Sequence, residues 1–317
     1  MDTAAIHEDI MPAGLAALGQ VNIVGGTDLA RTAEVIGDSD AVICNKSRID
    51  RAVMERCPHL RYVGLMGTGF DQVDIAAANE FGVTVCNVPA YSTNAVAQHT
   101  FALILNHFCQ IAAYSADCAK GGWTEKKYYN VFGLPTYELA GKTIGLIGCG
   151  NIGKKVAVIA RAFDMHVLVY TRNPDKLRDL SYLQCVGLEA LLSASDVVSL
   201  HCPLNDDTRE LINRRTLAMM KRTALLVNTA RGGLVNEYDL AQALNEGTVA
   251  AAAVDALTVE PMSEETPLRG AKHLTVTPHI AWAPMETRAR LFGLVCQNLK
   301  CYIEGRPQNV VNQPHEK

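Results

Sequence analysis

The chain has 317 residues, about half of them apolar, and its 29 basic and 33 acidic side chains are interspersed to a net charge of -4. Such a chain can bury a large core, and its length suggests two compact lobes rather than one. The mixed charge argues against a nucleic-acid surface and favours small, soluble partners. No apolar stretch approaches the roughly 20 residues that a spanning helix needs, so a membrane partner is not expected. The acidic start Met-Asp-Thr-Ala-Ala-Ile-His-Glu-Asp lacks the basic and apolar regions of a signal peptide. The 10 cysteines are scattered, without CxxC or Cys/His zinc spacing. They read as reduced, buried small residues in a cytoplasmic protein without a structural metal.

In chain order, the first elements expected are a helix over about 11–18 and short β-branched strands at 21–24, 41–44, 62–65 and 83–85, with helical stretches between. They make a small α/β lobe. After Ser92-Thr93-Asn94, residues that favour helix caps, one long helical pattern over 95–116 crosses into a second lobe. There, strands at 143–147, 166–170, 196–201, 224–228, 250–255 and 273–277 alternate with amphipathic segments, which means a parallel sheet covered by helices. A further helical pattern over 284–302, broken by Gly305-Arg-Pro307, carries the chain back. The small lobe is therefore discontinuous, made of 1–98 and 284–317, with the larger lobe over 99–283.

Gly148-Cys-Gly-Asn-Ile-Gly153 directly follows a strand and opens a helix, the context that turns a weak glycine pattern into a dinucleotide fingerprint. The glycines permit a tight turn, close approach to a pyrophosphate and close helix packing, and the helix start at Asn151-Ile152 supplies oriented N–H groups. At the end of the next strand an NAD-preferring site would place a carboxylate for the ribose hydroxyls. This chain has Thr171-Arg172, which leans toward NADP; the alternative is a solvated arginine at a strand end. Cys202, Pro203, Thr229 and Ala230, at strand ends, are further expected cofactor contacts.

Loops at the C-terminal ends of parallel strands line the ligand site in sheets of this kind. Arg231, Asp255 with Glu260, and His279 all lie at such ends. An arginine suits a bidentate grip on a carboxylate, a histidine moves a proton, and a glutamate tunes that histidine. Each alone has a structural reading; three at successive strand ends downstream of a nucleotide cradle point to redox chemistry on a small hydroxy or keto acid.

The segments Asn228-Thr-Ala-Arg-Gly-Gly-Leu-Val-Asn-Glu237, Asp255-Ala-Leu-Thr-Val-Glu-Pro261 and Pro278-His-Ile-Ala-Trp-Ala283 resemble signatures of the D-isomer-specific 2-hydroxyacid dehydrogenases. The resemblance implies a two-lobe α/β fold, with a Rossmann-type nucleotide domain and a smaller flavodoxin-like substrate domain. It implies Arg231 as the carboxylate-binding arginine, His279 as the proton donor and Glu260 as its paired acid. It also implies Asp255 near the nicotinamide carboxamide, Met66-Gly67-Thr68 holding the substrate carboxylate through backbone N–H groups, NAD(P)H as cofactor, and a homodimer. Asn45-Lys46, Val96-Ala-Gln-His99, Glu138-Leu-Ala-Gly-Lys142 and His279-Ile-Ala-Trp282 are most similar to glycerate dehydrogenases, which reduce hydroxypyruvate. Two other readings stay open: a dehydrogenase of larger, aromatic or branched keto acids, and a non-catalytic NAD(H)-sensing interaction protein. One departure from the family is the absence of an apolar strand before the helix at 11–18.

Overall fold

The computed structural model describes residues 13–24, 31–124 and 133–314. The chain divides into two compact units, Met1–Ser92 with Ala283–Lys317, and Thr93–Trp282. The first opens with α1 (Ala13–Ala16) and α2 (Thr32–Ile36), followed by β1 (Ala41–Cys44), α3 (Arg51–Arg56), β2 (Tyr62–Leu65), α4 (Ile75–Glu80) and β3 (Thr84–Cys86). The three strands form a parallel sheet in the order β1-β2-β3. Helices α3 and α4 start where they do because Asp50 and Asp74 accept hydrogen bonds from the Val53 and Ala77 N–H groups, at 3.1 and 2.9 Å. Between them Ile49, Met54, Leu60, Val63, Leu65 and Ala77 close the core.

Two expectations change here. Residues 21–24 form no strand; only Val24 makes a single bridge, and Val21 and Ile23 are exposed. Helix α1 ends at Ala16, two residues before the expected end at 18, and residues 11–12 lie outside the described residues. The question of an opening strand falls on residues 1–12, outside the described residues.

The second unit begins with α5 (Thr93–Cys109) and α6 (Ile111–Ala119). The single helix expected over 95–116 is thus two, because Gln110 takes a left-handed conformation (φ 53°) and its amide donates to the His107 carbonyl at 2.8 Å. The unit continues through β4 (Thr143–Ile147), α7 (Asn151–Ala162), β5 (His166–Tyr170), β6 (Leu183–Cys185), α8 (Leu188–Ala194), β7 (Val197–Leu200), α9 (Arg214–Leu217), β8 (Leu225–Asn228), α10 (Glu237–Glu246), β9 (Ala251–Val254) and β10 (Leu274–Val276). Its seven strands are all parallel, in the order β10-β9-β8-β7-β4-β5-β6, a doubly wound Rossmann-type sheet. Edge strand β6 is one the sequence pattern missed.

One face of this sheet is covered by Phe101, Ile104, Val156 and Ala160 of α5 and α7, the other by Leu191, Leu192, Leu240 and Leu244 of α8 and α10. In α7 the buried Gly153, Val156, Ala157 and Ala160 follow the 3.6-residue period that lays one stripe on the sheet. The chain turns outward from β4 in both directions, so the ends of β4 and β7 form the switch point where such sheets bind ligands. Helix α11 (Met285–Ile303) belongs to the first unit, where Asn298 donates to the Asn87 carbonyl at 2.8 Å. No helix among the described residues is long and apolar enough to cross a membrane.

Candidate active site

At the switch point the three glycines do different work. Gly148 has φ 91°, and a Cβ there would lie 2.6 Å from the Cys202 nitrogen, so only glycine lets the β4 end pass the β7 end. A Cβ on Gly153 would meet the Gly148 carbonyl oxygen at 2.5 Å, which ties the first turn of α7 to the cradle. Gly150, the N-cap of α7, has nothing within 4 Å of a Cβ position. Two positions are thus closed by protein and the middle one is open, with the α7 N–H groups behind it. That is the shape a pyrophosphate needs, and a nicotinamide dinucleotide fits these residues.

Beside the cradle, His201 donates its backbone N–H to the Ile147 carbonyl at 2.7 Å, and its Nε2 lies 2.9 Å from Ser199 Oγ. Burial pushes its imidazole down to about 4, so the ring is neutral at pH 7. Cys202 is half-buried and Pro203 exposed. At the end of β5, Thr171 Oγ1 accepts from the Asn173 N–H at 3.3 Å, and Arg172 reaches Asp207 only at 3.8 Å with both side chains largely in solvent. The strand end carries no carboxylate.

Beyond β8, the buried Asn228 shapes the loop: its amide donates to the Arg231 carbonyl at 2.8 Å and its oxygen accepts from the Ala230 N–H at 3.0 Å. Thr229 and Thr100 share a hydroxyl hydrogen bond of 3.0 Å, and the Arg231 guanidinium donates to the Ala230 carbonyl at 3.0 Å. Gly232 packs directly on the backbone of Leu257 and Thr258, leaving no room for a Cβ. Glycine at 232 therefore brings the arginine loop against the loop that carries Glu260.

His279 follows β10 and pairs with that glutamate. Its Nδ1 lies 2.8 Å from each carboxylate oxygen of Glu260, with both side chains about three-quarters covered. A carboxylate only accepts, so Nδ1 carries the proton toward Glu260. The backbone of His279 is left-handed, φ 54°. Asp255, buried at the end of β9, accepts from the Ile280 and Ala281 N–H groups, each at 2.9 Å, and from the Thr277 hydroxyl at 2.5 Å. His99 lies 3.1 Å from Thr277 Oγ1 and 3.5 Å from Asp255 Oδ1. Burial would raise the Asp255 carboxyl, but hydrogen bonds from His99, Thr277, Ala281 and Ile280 outweigh it and hold the group below its usual value. The sequence reading had no role for Thr277, Ser199 or His201 and used His99 only as a subfamily marker; hydrogen-bond partners far apart in the chain leave no local signal.

In the other unit, Met66 is buried behind β2 and its N–H donates to the Cys44 carbonyl at 2.9 Å. The Gly67 carbonyl accepts from Val88 N–H at 2.9 Å, Thr68 Oγ1 donates to the Val88 carbonyl at 2.9 Å, and Asn87 donates to the Thr68 carbonyl at 2.7 Å. The Met66 N–H, expected to meet a substrate carboxylate, is thus donated to β1 instead, because the backbone of residue 66 continues the parallel pairing of β2 with β1.

The model of the D-isomer specific 2-hydroxyacid dehydrogenase NAD binding domain matches residues 101–281. A hydroxypyruvate reductase of Blautia hydrogenotrophica is 40% identical over 95% of this chain and 94% of its own. A glycerate dehydrogenase of Methylorubrum extorquens is 37% identical over 88% and 87%. Among solved structures, a D-lactate dehydrogenase of Aquifex aeolicus complexed with NAD and lactic acid superposes with a TM-score of 0.87 at 25% identity, covering 98% of each chain. With the doubly wound sheet and its glycine cradle, these likenesses place the chain among the D-isomer-specific 2-hydroxyacid dehydrogenases, NAD(P)-dependent oxidoreductases.

Proposed function

We propose that the protein reduces a small, unphosphorylated 2-keto acid, hydroxypyruvate or glyoxylate, to D-glycerate or glycolate. A nicotinamide dinucleotide held at the Gly148–Gly153 cradle would supply the hydride that reduces C2. Arg231 grips the substrate carboxylate with charge-assisted hydrogen bonds. His279 delivers the Nε2 proton to the carbonyl oxygen as C2 is reduced, and the ring, left neutral, keeps its Nδ1–H on Glu260. Glu260 accepts the Nδ1–H and so orients the ring. The observation that carries this reading is the two-oxygen pairing of Glu260 with His279 at 2.8 Å, beside the arginine loop. The glycerate dehydrogenase-like segments and the relatives named above support the small acids over aromatic or branched ones.

For the cofactor, the absence of a carboxylate at Thr171 and the solvent-facing Arg172 support acceptance of a 2′-phosphate, hence NADPH at least as well as NADH. Helix α6 buries none of its side chains although most are apolar, which supports a homodimer formed by the nucleotide-binding units. All ten cysteines are free thiols, which suits a reducing, cytoplasmic setting, but only Cys44, Cys57, Cys86 and Cys149 are buried, fewer than expected, because the others lie on helix surfaces, an edge strand and a strand end.

The test is initial rates with hydroxypyruvate, glyoxylate, pyruvate and phenylpyruvate, each with NADH and NADPH. A larger kcat/KM for hydroxypyruvate or glyoxylate is expected. A preference for phenylpyruvate overturns the small-acid assignment, and no turnover with any pair favours a cofactor-sensing protein. Arg172→Ala is expected to weaken NADPH more than NADH; equal effects on both remove Arg172 from the cofactor site.

A further inference from the structure

Behind the Glu260–His279 pair runs a second hydrogen-bonded line, and donor counting fixes its direction. Thr277 Oγ1 lies 2.5 Å from Asp255 Oδ1 and 3.1 Å from His99 Nε2. A hydroxyl has one proton to give, and an ionised carboxylate accepts only. The proton of Thr277 therefore goes to Asp255, and its oxygen has only acceptor capacity left for His99. His99 must carry its proton on Nε2. The line reads His99 Nε2–H to Thr277 Oγ1–H to Asp255 Oδ1.

The same carboxylate holds the turn that bears the proton donor. Asp255 takes the N–H groups of Ile280 and Ala281 at 2.9 Å, and the His279 N–H donates to the Thr277 carbonyl at 2.9 Å. Between these anchors His279 sits at φ 54°, a left-handed conformation that costs a non-glycine residue roughly 1–2 kcal/mol and persists where its surroundings over-determine it. Both anchors, Thr277 and Asp255, are oriented by one imidazole from α5, 178 residues away from Thr277 in the chain.

We propose that His99 is a positioning residue for the reduction: through its Nε2–H it sets Thr277 and Asp255, which clamp the 278–281 turn and hold His279 against Glu260. It acts through Thr277 and Asp255, not on the reacting atoms. The inference rests on the reading of His279 as the proton donor.

The experiment compares His99→Leu, which keeps bulk and loses the donor, with His99→Gln, whose amide N–H replaces it, alongside Thr277→Val and His279→Ala. His99→Leu is expected to lower kcat about 10-fold, the scale of one hydrogen bond, with KM for the nicotinamide cofactor unchanged. His99→Gln recovers most of that loss, and His99→Leu/Thr277→Val is no slower than Thr277→Val alone, since both cut one line. Independently of any variant's folding, the nitrogen chemical shifts of labelled His99 in the wild-type protein are expected to show Nε2 protonated. A neutral ring protonated on Nδ1, additive effects of the two substitutions, or a Gln variant as slow as the Leu variant overturns the proposal. If His99→Leu turns over normally while His279→Ala is crippled, the positioning role fails alone; if His279→Ala itself is normal, the proton-donor reading fails.

Discussion

The nucleotide cradle and the turn that carries His279 both sit at strand ends of one sheet, yet they are held in different ways. The cradle is shaped by what is missing: at Gly148 and Gly153 a methyl group would strike backbone atoms, and at Gly150 the space is open. The turn at His279 is shaped by what is present, a buried carboxylate gathering two backbone N–H groups and a hydroxyl. A cradle made by steric room admits no added atom at Gly148 or Gly153, where β4 and β7 pass closely. A turn made by hydrogen bonds depends on residues scattered through the chain.

The comparison breaks most visibly at the turn. His279→Ala is expected to lower kcat by about 10² to 10⁴, the range for loss of a proton donor, while cofactor affinity measured by NADPH fluorescence stays put. Arg231→Ala should chiefly raise KM for the acid and also lower kcat. Near-normal turnover by the His279 variant would take the proton-transfer role from it.

On the cradle side two alanines should part ways. Gly148→Ala forces a left-handed backbone and a 2.6 Å clash with the Cys202 nitrogen, so urea unfolding should show a loss of about 2–4 kcal/mol. Gly150→Ala meets open space in an extended backbone (φ -75°, ψ -158°), and should leave stability nearly unchanged while weakening cofactor binding. Equal losses of stability in both would mean that Gly150 is a packing glycine too.

A pH effect sharpens the contrast, because the cradle rests on a neutral histidine. His201 titrates at about 4 in the folded protein, pushed down by burial, against roughly 6.5 in the unfolded chain. As pH falls below the unfolded value the unfolded chain takes up a proton that the folded protein refuses. Stability is therefore lost between about pH 6.5 and 4, by up to about 3 kcal/mol. Urea unfolding at pH 7, 5.5 and 4.5 should show this slope in the wild type and a flatter one in His201→Gln; parallel slopes would show that His201 does not set it.

Legibility followed the same division. Strands β1, β2, β4 and β5 were readable to the residue because each is a β-branched run bounded by turn residues, and the strand, Gly148 to Gly153 and α7 stand together in 143–162. Edge strand β6, with two of its three side chains exposed, has no apolar run to announce it. Residues 21–24 have the β-branched run without becoming a strand. The break at Gln110 has neither glycine nor proline to mark it.

By itself, the sequence determined the parallel α/β class and the glycine cradle, and it singled out Arg231, Glu260 and His279 as candidates, because local spacing and residue chemistry suffice for these. Only the tertiary structure decided how they are supported. Gly232 meets Leu257, Thr229 meets Thr100, and His99 meets Thr277 and Asp255 across most of the second unit. The physical reason is that a hydrogen bond is set by distance and direction in space, to within a few tenths of an ångström. Residues 178 positions apart acquire that geometry only when α5 and the sheet have packed.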